Sequence, residues 1–173
     1  MLIVFGGLPG TGKTTIARAL AEERAATYIR IDTIEQALRS SGAVPGEIGP
    51  HGYVVAYAVA EDNLRMGRDV IADSVNPIAV TRTAWRETAE RAGTSCIEVE
   101  VVCTDPREHR RRLESRRVPP TWDDVVRRKY ESWDGPRIVL DTAPRTVADS
   151  VAEVRRALPE PRQAPVPGTH KRF

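Results

Sequence analysis

The stretch Gly7-Leu8-Pro9-Gly10-Thr11-Gly12-Lys13-Thr14 decides the fold, because it follows an apolar run at 2–5 and precedes a helical pattern. Its spacing of glycine, four residues, glycine, lysine and threonine between a strand and a helix is typical of a phosphate-binding loop. Glycines allow positive φ, so that successive N–H groups can converge on a phosphate at the helix N-terminus. The sequence therefore predicts that Gly7 to Thr15 bind a nucleotide, with Lys13 on the β and γ phosphates and the Thr14 hydroxyl on Mg²⁺.

The length, the apolar runs and the net charge limit the classes of protein to which the chain can belong. A chain of 173 residues is long enough to bury one core without disulfides. Its longest apolar run, at 53–60, falls short of the roughly 20 residues that cross a bilayer, and residues 1–5 lack the charged start of a signal peptide. We therefore expect a cytoplasmic protein with no membrane partner. The net charge of +2 gives no case for general nucleic-acid binding.

Strand and helix patterns alternate along the chain, with strands predicted at 2–5, 28–31, 69–73, 96–103 and 137–140. Helices are predicted at 14–25, 33–40, 53–66, from 76, from 105, from 121 and at 147–158, and 41–52 reads as a loop. Such alternation requires parallel strands with right-handed crossovers. We predict one α/β domain at 1–158, a three-layer fold with a five-stranded parallel sheet, followed by a disordered tail at 159–173.

Several local details follow from residue types at element boundaries. Asn76 before proline and Asp105 before proline are good helix N-caps, and Thr121 with Asp124 resembles a capping box. Glu98 and Glu100 suggest that part of the fourth strand is exposed. The helix from 121 is expected to present one face made of Trp122, Val126, Tyr130 and Trp133.

A phosphate-binding loop occurs in switches, motors and kinases, and motif absences separate these classes. The chain has no Asn-Lys-x-Asp motif that reads guanine, no Asp-x-x-Gly switch and no Leu-Ser-Gly-Gly-Gln signature. Asp73 is followed by Ser74, where motor ATPases commonly place glutamate. These gaps favour a small phosphotransferase.

At this point the sequence resembles the small P-loop kinases that include chloramphenicol phosphotransferase, zeta toxins and polynucleotide 5'-kinases. The likeness runs from residue 1 to about 158. It is carried by 7–14, Ile31-Asp32-Thr33-Ile34-Glu35, Asp73-Ser74-Val75-Asn76 and Arg112-Leu113-Glu114-Ser115-Arg116. The resemblance implies an adenylate-kinase-like sheet and transfer of the γ-phosphoryl of ATP to a hydroxyl.

The resemblance also implies roles for individual residues. Asp32 matches the catalytic carboxylate that orients the attacking hydroxyl and accepts its proton. An N-cap role for Asp32, before a helix from Thr33, is the alternative. Asp73 is either a magnesium ligand through water or a turn residue. Arg112 and Arg116 match cationic positions in a lid at about 107–121, with Arg117 as a third candidate; a solvated basic face is the alternative.

The acceptor is expected to bind in the segment between the second and third strands, at about 41–66. His51, Tyr53 and Tyr57 are the candidate substrate contacts there, and each also fits as a packing residue. Adenine is expected between the lid and the loop at 141–144. Glu35 stands where polynucleotide kinases commonly carry a basic residue, which puts nucleic-acid substrates in doubt.

The leading hypothesis is a magnesium- and ATP-dependent kinase that phosphorylates a small-molecule hydroxyl on an antibiotic, nucleoside or sugar-like acceptor. One alternative is a polynucleotide 5'-hydroxyl kinase or a toxin-like nucleotide-sugar kinase. Another, from a different class, is a nucleotide-binding regulatory module without catalysis, because a loop motif indicates binding more directly than chemistry.

Overall fold

A computed structural model describes residues 1–42, 44–116 and 119–159. Within these residues five parallel strands form one sheet in the order β2-β3-β1-β4-β5. The strands are β1 (Leu2–Gly6), β2 (Thr27–Arg30), β3 (Val70–Asp73), β4 (Cys96–Val102) and β5 (Ile138–Asp141). The helices are α1 (Lys13–Arg24), α2 (Ile31–Ser41), α3 (His51–Arg65), α4 (Ala79–Arg91), α5 (Pro106–Ser115), α6 (Trp122–Arg127) and α7 (Val147–Ala157). This is the three-layer α/β fold of P-loop NTPases, as predicted.

The central strand β1 is buried on both faces, which explains why it is apolar at every position. Ile3 and Phe5 point into one core, which includes residues of α1 and α7. Leu2 and Val4 point into the other core, which includes residues of α3 and α4. The loop at 7–12 follows the carboxyl end of β1. It therefore lies at the edge of the sheet where ligands of such folds bind.

Two of the predicted helix starts are confirmed by their caps. The Asp105 carboxylate accepts hydrogen bonds from the N–H groups of Arg107 and Glu108. Thr121 and Asp124 form a reciprocal capping box at the start of α6. These signals succeed because each depends only on residues within one turn.

The predicted cap at Asn76 is wrong, because α4 begins at Ala79 with Ile78 as its extended N-cap. Asn76 is buried with a φ of 48°, and its Nδ2 donates to the Phe5 carbonyl at 3.2 Å. Asparagine tolerates this left-handed conformation better than most residues. Asn76 therefore ties the end of β1 to the turn after β3.

Glu98 and Glu100 are buried, so the exposed face predicted for the fourth strand is also wrong. Arg86 lies 3.1 Å from Glu98, and Arg137 lies 2.6 Å from Glu100. Burial raises the pKa of Glu98, and the Arg86 charge opposes this rise. Distant arginines thus allow carboxylates to occupy a covered strand, which the local pattern does not indicate.

The single face predicted for the helix from 121 does not form. The last α6 residue is Arg127, so Tyr130 and Trp133 lie beyond it, and Val126 is exposed. Trp133 is instead buried against Gly6, where a β-carbon would overlap the indole ring. The indole N–H donates to the Tyr130 hydroxyl at 2.7 Å.

Arg82 of α4 is fully buried and contacts both the turn after β3 and the segment after α6. Its guanidinium donates to the carbonyls of Asn76 at 3.2 Å and Ser132 at 2.9 Å, and also to that of Glu131. It lies 5.0 Å from the centre of the Trp133 ring, within cation–π range. Arg82 therefore links the turn after β3 to the segment after α6.

We expect Arg82→Met to lower the free energy of unfolding by about 2–4 kcal/mol, because buried carbonyls lose their donor. Urea unfolding measures the loss. Arg91→Met is the matched control on the same helix, since Arg91 is exposed and pairs with Glu61 at 2.9 Å. The control is expected to cost no more than about 1 kcal/mol. Equal losses in the two variants would contradict a structural role for Arg82.

Candidate functional site

The loop after β1 presents an uncapped helix N-terminus. Gly10 and Gly12 both have a φ of 91°, a conformation that side chains other than glycine rarely adopt. Gly12 is the N-cap of α1, and neither a capping side chain nor an acidic residue lies in the first turn. The backbone N–H groups there are therefore free of side-chain acceptors, and the helix dipole favours an anion.

Lys13 supplies the fixed positive charge of the loop. The side chain is buried, and burial lowers its pKa, while the charges of Asp73 and Asp32 act in the opposite direction. Thr14 beside it is half-buried, and Thr15 is exposed. A lysine with little solvent around it would gain a strong partner in a phosphate, because desolvated charges interact strongly.

Helix α5 holds the outer side of the loop through His109, which sequence analysis did not identify. The buried His109 ring places Nε2 2.8 Å from the Pro9 carbonyl oxygen. The ring also meets Trp122 edge-on, with centroids 5.2 Å apart. The arginine-rich helix buries little apolar surface, so no periodic signal pointed to this contact.

Gly10→Ala is expected to destabilise the protein more than Gly67→Ala does. Both glycines have positive φ, 91° and 79°, so both variants carry a similar backbone strain. A β-carbon at Gly10 would lie 3.0 Å from His109 and 3.1 Å from Leu113, whereas nothing lies within 4 Å at Gly67. We expect an additional loss of about 1 kcal/mol for Gly10→Ala in urea unfolding. Identical losses would mean that α5 does not press on the loop.

Two carboxylates and an arginine lie near Lys13 of the loop, on β2, α2 and β3. Arg30, at the end of β2, donates to Asp32 at 2.5 Å, and its Nε lies 3.6 Å from Asp73. Asp73 also accepts a hydrogen bond from the Tyr28 hydroxyl at 2.7 Å. Asp73 is buried, whereas the side chain of Asp32 is 57% exposed and so remains open to a ligand.

Asp32 is not the N-cap of α2. The helix begins at Ile31 with Arg30 as N-cap, so Asp32 lies within the first turn. Asp32 follows β2 closely and lines the same cleft as Lys13, and its role as a base stays a prediction. Sequence analysis missed Arg30, because a basic residue in a short edge strand is common and carries no motif.

Two adjoining cavities meet at these residues. A cavity of about 410 Å³ follows the loop, and a larger cleft of about 1060 Å³ extends from it between α2, α3 and α4. Four residues line both, Lys13, Thr14, Arg30 and Arg116, whereas Asp32 lines only the larger cleft. The arrangement can therefore hold a phosphate chain on one side and a second molecule next to a carboxylate on the other.

The predicted acceptor residues divide into two groups. Tyr53 and Tyr57 line the larger cleft, and Tyr57 donates a hydrogen bond to the Thr81 carbonyl at 3.2 Å. Burial raises the pKa of Tyr53, whose hydroxyl accepts from the Asn76 N–H at 3.3 Å. His51 is exposed, lies outside the cleft lining and places Nδ1 2.5 Å from the Ile48 carbonyl oxygen.

The lid arginines also differ in their surroundings. Arg112 donates to Glu108 at 2.7 Å and to the Thr142 hydroxyl at 2.9 Å, and Thr142 in turn donates to the Thr11 carbonyl at 2.8 Å. Arg116 is exposed and lines both cavities. The third candidate, Arg117, lies outside the described residues, as do residues 160–173 of the predicted tail.

The residues predicted to hold magnesium suit a hard cation. Asp73 offers a buried carboxylate, and Thr14 offers a hydroxyl at the loop, so both donors are oxygens. Among the described residues no three His, Cys, Asp or Glu side chains cluster as a metal cage. A site shared between few protein oxygens and a phosphate chain agrees with this, because Mg²⁺ keeps several waters.

Comparisons with known proteins agree with this architecture. Residues 2–134 match the AAA_33 model, described as an AAA domain. An uncharacterized protein of Mycobacterium tuberculosis strain H37Rv is 46% identical over 48 residues, which are 28% of this chain and 10% of that protein. The same match occurs in Mycobacterium bovis. The chain thus spans about a tenth of the length of these curated relatives.

Three solved structures share the fold. Chaetomium thermophilum Kti12, in complex with ADP-AlF3, has a TM-score of 0.69 and 24% identity, covering 92% of this chain and 100% of that chain. Mycobacterium tuberculosis APS kinase CysC, in complex with AMPPNP and APS, has a TM-score of 0.68 and 18% identity over 90% and 95%. A gluconokinase from Sinorhizobium meliloti has a TM-score of 0.62 and 20% identity over 87% of each chain.

Proposed function

Since the chain belongs to the AAA_33 family of AAA domains, we propose that it is an ATP-dependent phosphotransferase acting on a hydroxyl of a small molecule. The acceptor class is that of antibiotics, nucleosides or sugar-like compounds. Kinases among the structures that share the fold support this chemistry, as does the absence of switch and motor motifs.

One observation carries the proposal: the exposed carboxylate of Asp32 lines the larger cleft and contacts Arg30, which lines both cavities. Lys13 and Arg116 line both cavities, so the γ-phosphoryl of ATP would lie between these cations and the acceptor cleft. Phosphoryl transfer depends mainly on positioning and charge neutralisation, and this arrangement provides both.

The proposed step transfers one phosphoryl group in line. The acceptor oxygen forms a bond to Pγ while the bond from Pγ to the bridging oxygen of ADP breaks. The hydroxyl proton passes to the Asp32 carboxylate, which Arg30 orients at 2.5 Å. Lys13 and Arg116 neutralise the charge on the transferring group, and Arg112 supports the loop through Thr142 and Thr11.

Thr14 and Asp73 are the residues that would hold Mg²⁺, Asp73 through water. When bound, the ion neutralises charge on the phosphate oxygens and orients them. Tyr28 and Arg30 fix the direction of the Asp73 carboxylate through a hydrogen bond and an ion pair. Chelation of the metal is therefore expected to remove transfer without unfolding the protein.

The test is incubation of the purified protein with ATP, Mg²⁺ and a panel of nucleosides, sugars and antibiotics, with product mass as the readout. A product heavier by one phosphoryl group, formed together with ADP, is expected for at least one acceptor. A 5'-hydroxyl oligonucleotide in the same panel tests the polynucleotide-kinase alternative. ATP binding without transfer to any acceptor would instead support the regulatory module.

Location and partners remain predictions. None of the helices among the described residues is long and apolar enough to cross a membrane. The proposal of a cytoplasmic enzyme with a small-molecule partner, and without a nucleic-acid partner, is tested by fractionation of cells and by the oligonucleotide arm above.

A further inference from the structure

Arg30 contacts both carboxylates of the site and lines both cavities. Its Nη2 donates to Asp32 at 2.5 Å, and its Nε lies 3.6 Å from Asp73, beyond hydrogen-bonding distance. Asp32 belongs to α2 and Asp73 to β3, so the two anions lie on different elements. Together they hold the guanidinium against the cavity along the loop and against the larger cleft.

The Arg30 guanidinium has hydrogen-bond donors that the protein does not use. An arginine has five N–H donors, and it presents them in a fixed planar fork. Among the described residues the guanidinium makes one hydrogen bond, through Nη2, which leaves Nη1 without a partner. The side chain is 26% exposed and therefore partly accessible. Nη1 can donate to an anion that enters the site.

Three cations converge on the place where an anion would lie. Lys13, Arg30 and Arg116 all line both cavities. Burial lowers the pKa of Lys13, and the charges of Arg116 and Arg30 lower it as well, while the two carboxylates act in the opposite direction. Cations at short distance repel one another, and an anion between them removes this repulsion. The arrangement therefore favours a phosphate that touches all three.

We propose that Arg30 is a catalytic residue that binds the γ-phosphate of ATP through Nη1 while its Nη2 holds the Asp32 carboxylate. This inference rests on the proposed function, because it takes ATP as the ligand of the loop. One rigid guanidinium then fixes the distance between the transferring group and the carboxylate, which brings the acceptor hydroxyl close to Pγ. Arg30 stays protonated in the step, and the hydroxyl proton passes to Asp32.

A direct contact with the γ-phosphate and a role confined to positioning carboxylates predict different binding. A contact strengthens the binding of a triphosphate selectively, because ADP has no phosphate at that place. Hydrogen bonds between arginine and phosphate are charge-assisted and belong to the strong class. An arginine that only orients Asp32 and Asp73 would not distinguish the two nucleotides. The ratio of the two affinities therefore reports the contact with no acceptor present.

The test is isothermal titration of the purified protein with AMPPNP and with ADP. Arg30→Met is expected to weaken AMPPNP binding by about tenfold or more and ADP binding by less than about threefold. Arg30→Gln keeps an N–H group for Asp32 but has no charge, and it should show the same selective loss. Near-normal ADP binding also shows that a variant is folded. Equal losses for both nucleotides, or no loss, would overturn the contact.

Arg39→Met is the matched control for the loss of an arginine. Arg39 lines the larger cleft but not the cavity along the loop, and it pairs with Glu35 at 3.1 Å. Its side chain is exposed, and both affinities are expected to stay within about twofold of the wild type. A selective loss of AMPPNP affinity in Arg39→Met as large as that in Arg30→Met would overturn the assignment to Arg30.

A second arm repeats the titrations with EDTA in place of Mg²⁺. The selective loss in Arg30→Met is expected to persist, because the proposed contact joins the guanidinium and the phosphate without a metal ion between them. Disappearance of the selective loss in EDTA would mean that Arg30 acts through Asp73 and the metal, and it would overturn the direct contact.

Transfer assays separate this inference from the proposed function. With saturating ATP, single-turnover transfer by Arg30→Met is expected to fall by about 100-fold. A selective loss of AMPPNP affinity, in a protein whose wild type transfers phosphate to no acceptor, would support the contact and contradict the proposed function. Wild-type AMPPNP affinity in Arg30→Met, together with transfer by the wild type, would overturn the contact and leave the proposed function standing.

Discussion

The Asp32→Asn variant is expected to lose phosphoryl transfer by about 100- to 10,000-fold while it keeps nucleotide affinity within about twofold. Asparagine has nearly the same shape and can still accept a hydrogen bond from Arg30, so the site keeps its geometry. It cannot take the proton of the attacking hydroxyl at neutral pH. Single-turnover assays measure the transfer step, and isothermal titration with ATP measures the affinity.

Glu35→Gln is the matched control for this variant. Glu35 lies on the same helix, lines the same cleft and pairs with Arg39 at 3.1 Å. Loss of its charge is expected to change transfer by less than about fivefold, because an exposed pair contributes little. Wild-type turnover in Asp32→Asn, or an equal loss in both variants, would remove Asp32 from the role of base.

The Lys13→Met variant should separate ligand binding from folding. We expect kcat/KM to fall by at least about 100-fold, because the phosphates lose their buried cation. Urea unfolding of the nucleotide-free protein should show a free energy no lower than that of the wild type. The reason is that burial lowers the pKa of Lys13, which means that the folded state disfavours its charge.

Lys129→Met controls for the loss of a lysine, since the Lys129 side chain is 79% exposed and lies near Glu131. It should match the wild type in both transfer and unfolding. If Lys13→Met unfolded at markedly lower urea, the lysine would be a structural residue and its effect on transfer would be indirect.

Most of the fold could be predicted because its signals are local. The glycines at 7–12, the fully apolar β1 and the caps at Asp105 and Thr121 each depend on neighbours in sequence. The conformation of Asn76 could not be predicted, since its side chain bonds to the carbonyl of Phe5, which is distant in sequence. The burial of Glu98 could not be predicted either, because its partner Arg86 lies on a different element, α4.

The positions of some candidate site residues followed from the predicted topology, whereas their roles remain predictions. Lys13 and Thr14 begin α1 after the loop that follows β1, and Asp32 lies in the first turn of α2, just after β2. Because parallel strands end at one edge of the sheet, these residues line adjoining cavities. Arg30 and His109 were missed because their partners, the Asp73 carboxylate on the next strand and the Pro9 carbonyl, are set by tertiary contacts. Tertiary contacts of this kind decide which side chains line a pocket, and residue types alone do not predict them.

The contact between Tyr57 and Trp85 makes the intrinsic fluorescence of Trp85 sensitive to binding in the larger cleft. The two rings meet edge to face with centroids 4.6 Å apart, Trp85 fully buried behind and Tyr57 in front on the cleft. Indole emission responds to the groups that touch the ring, so a molecule that shifts Tyr57 changes the fluorescence of Trp85. Binding in the larger cleft can therefore be followed through the fluorescence of Trp85, without a label and without catalysis.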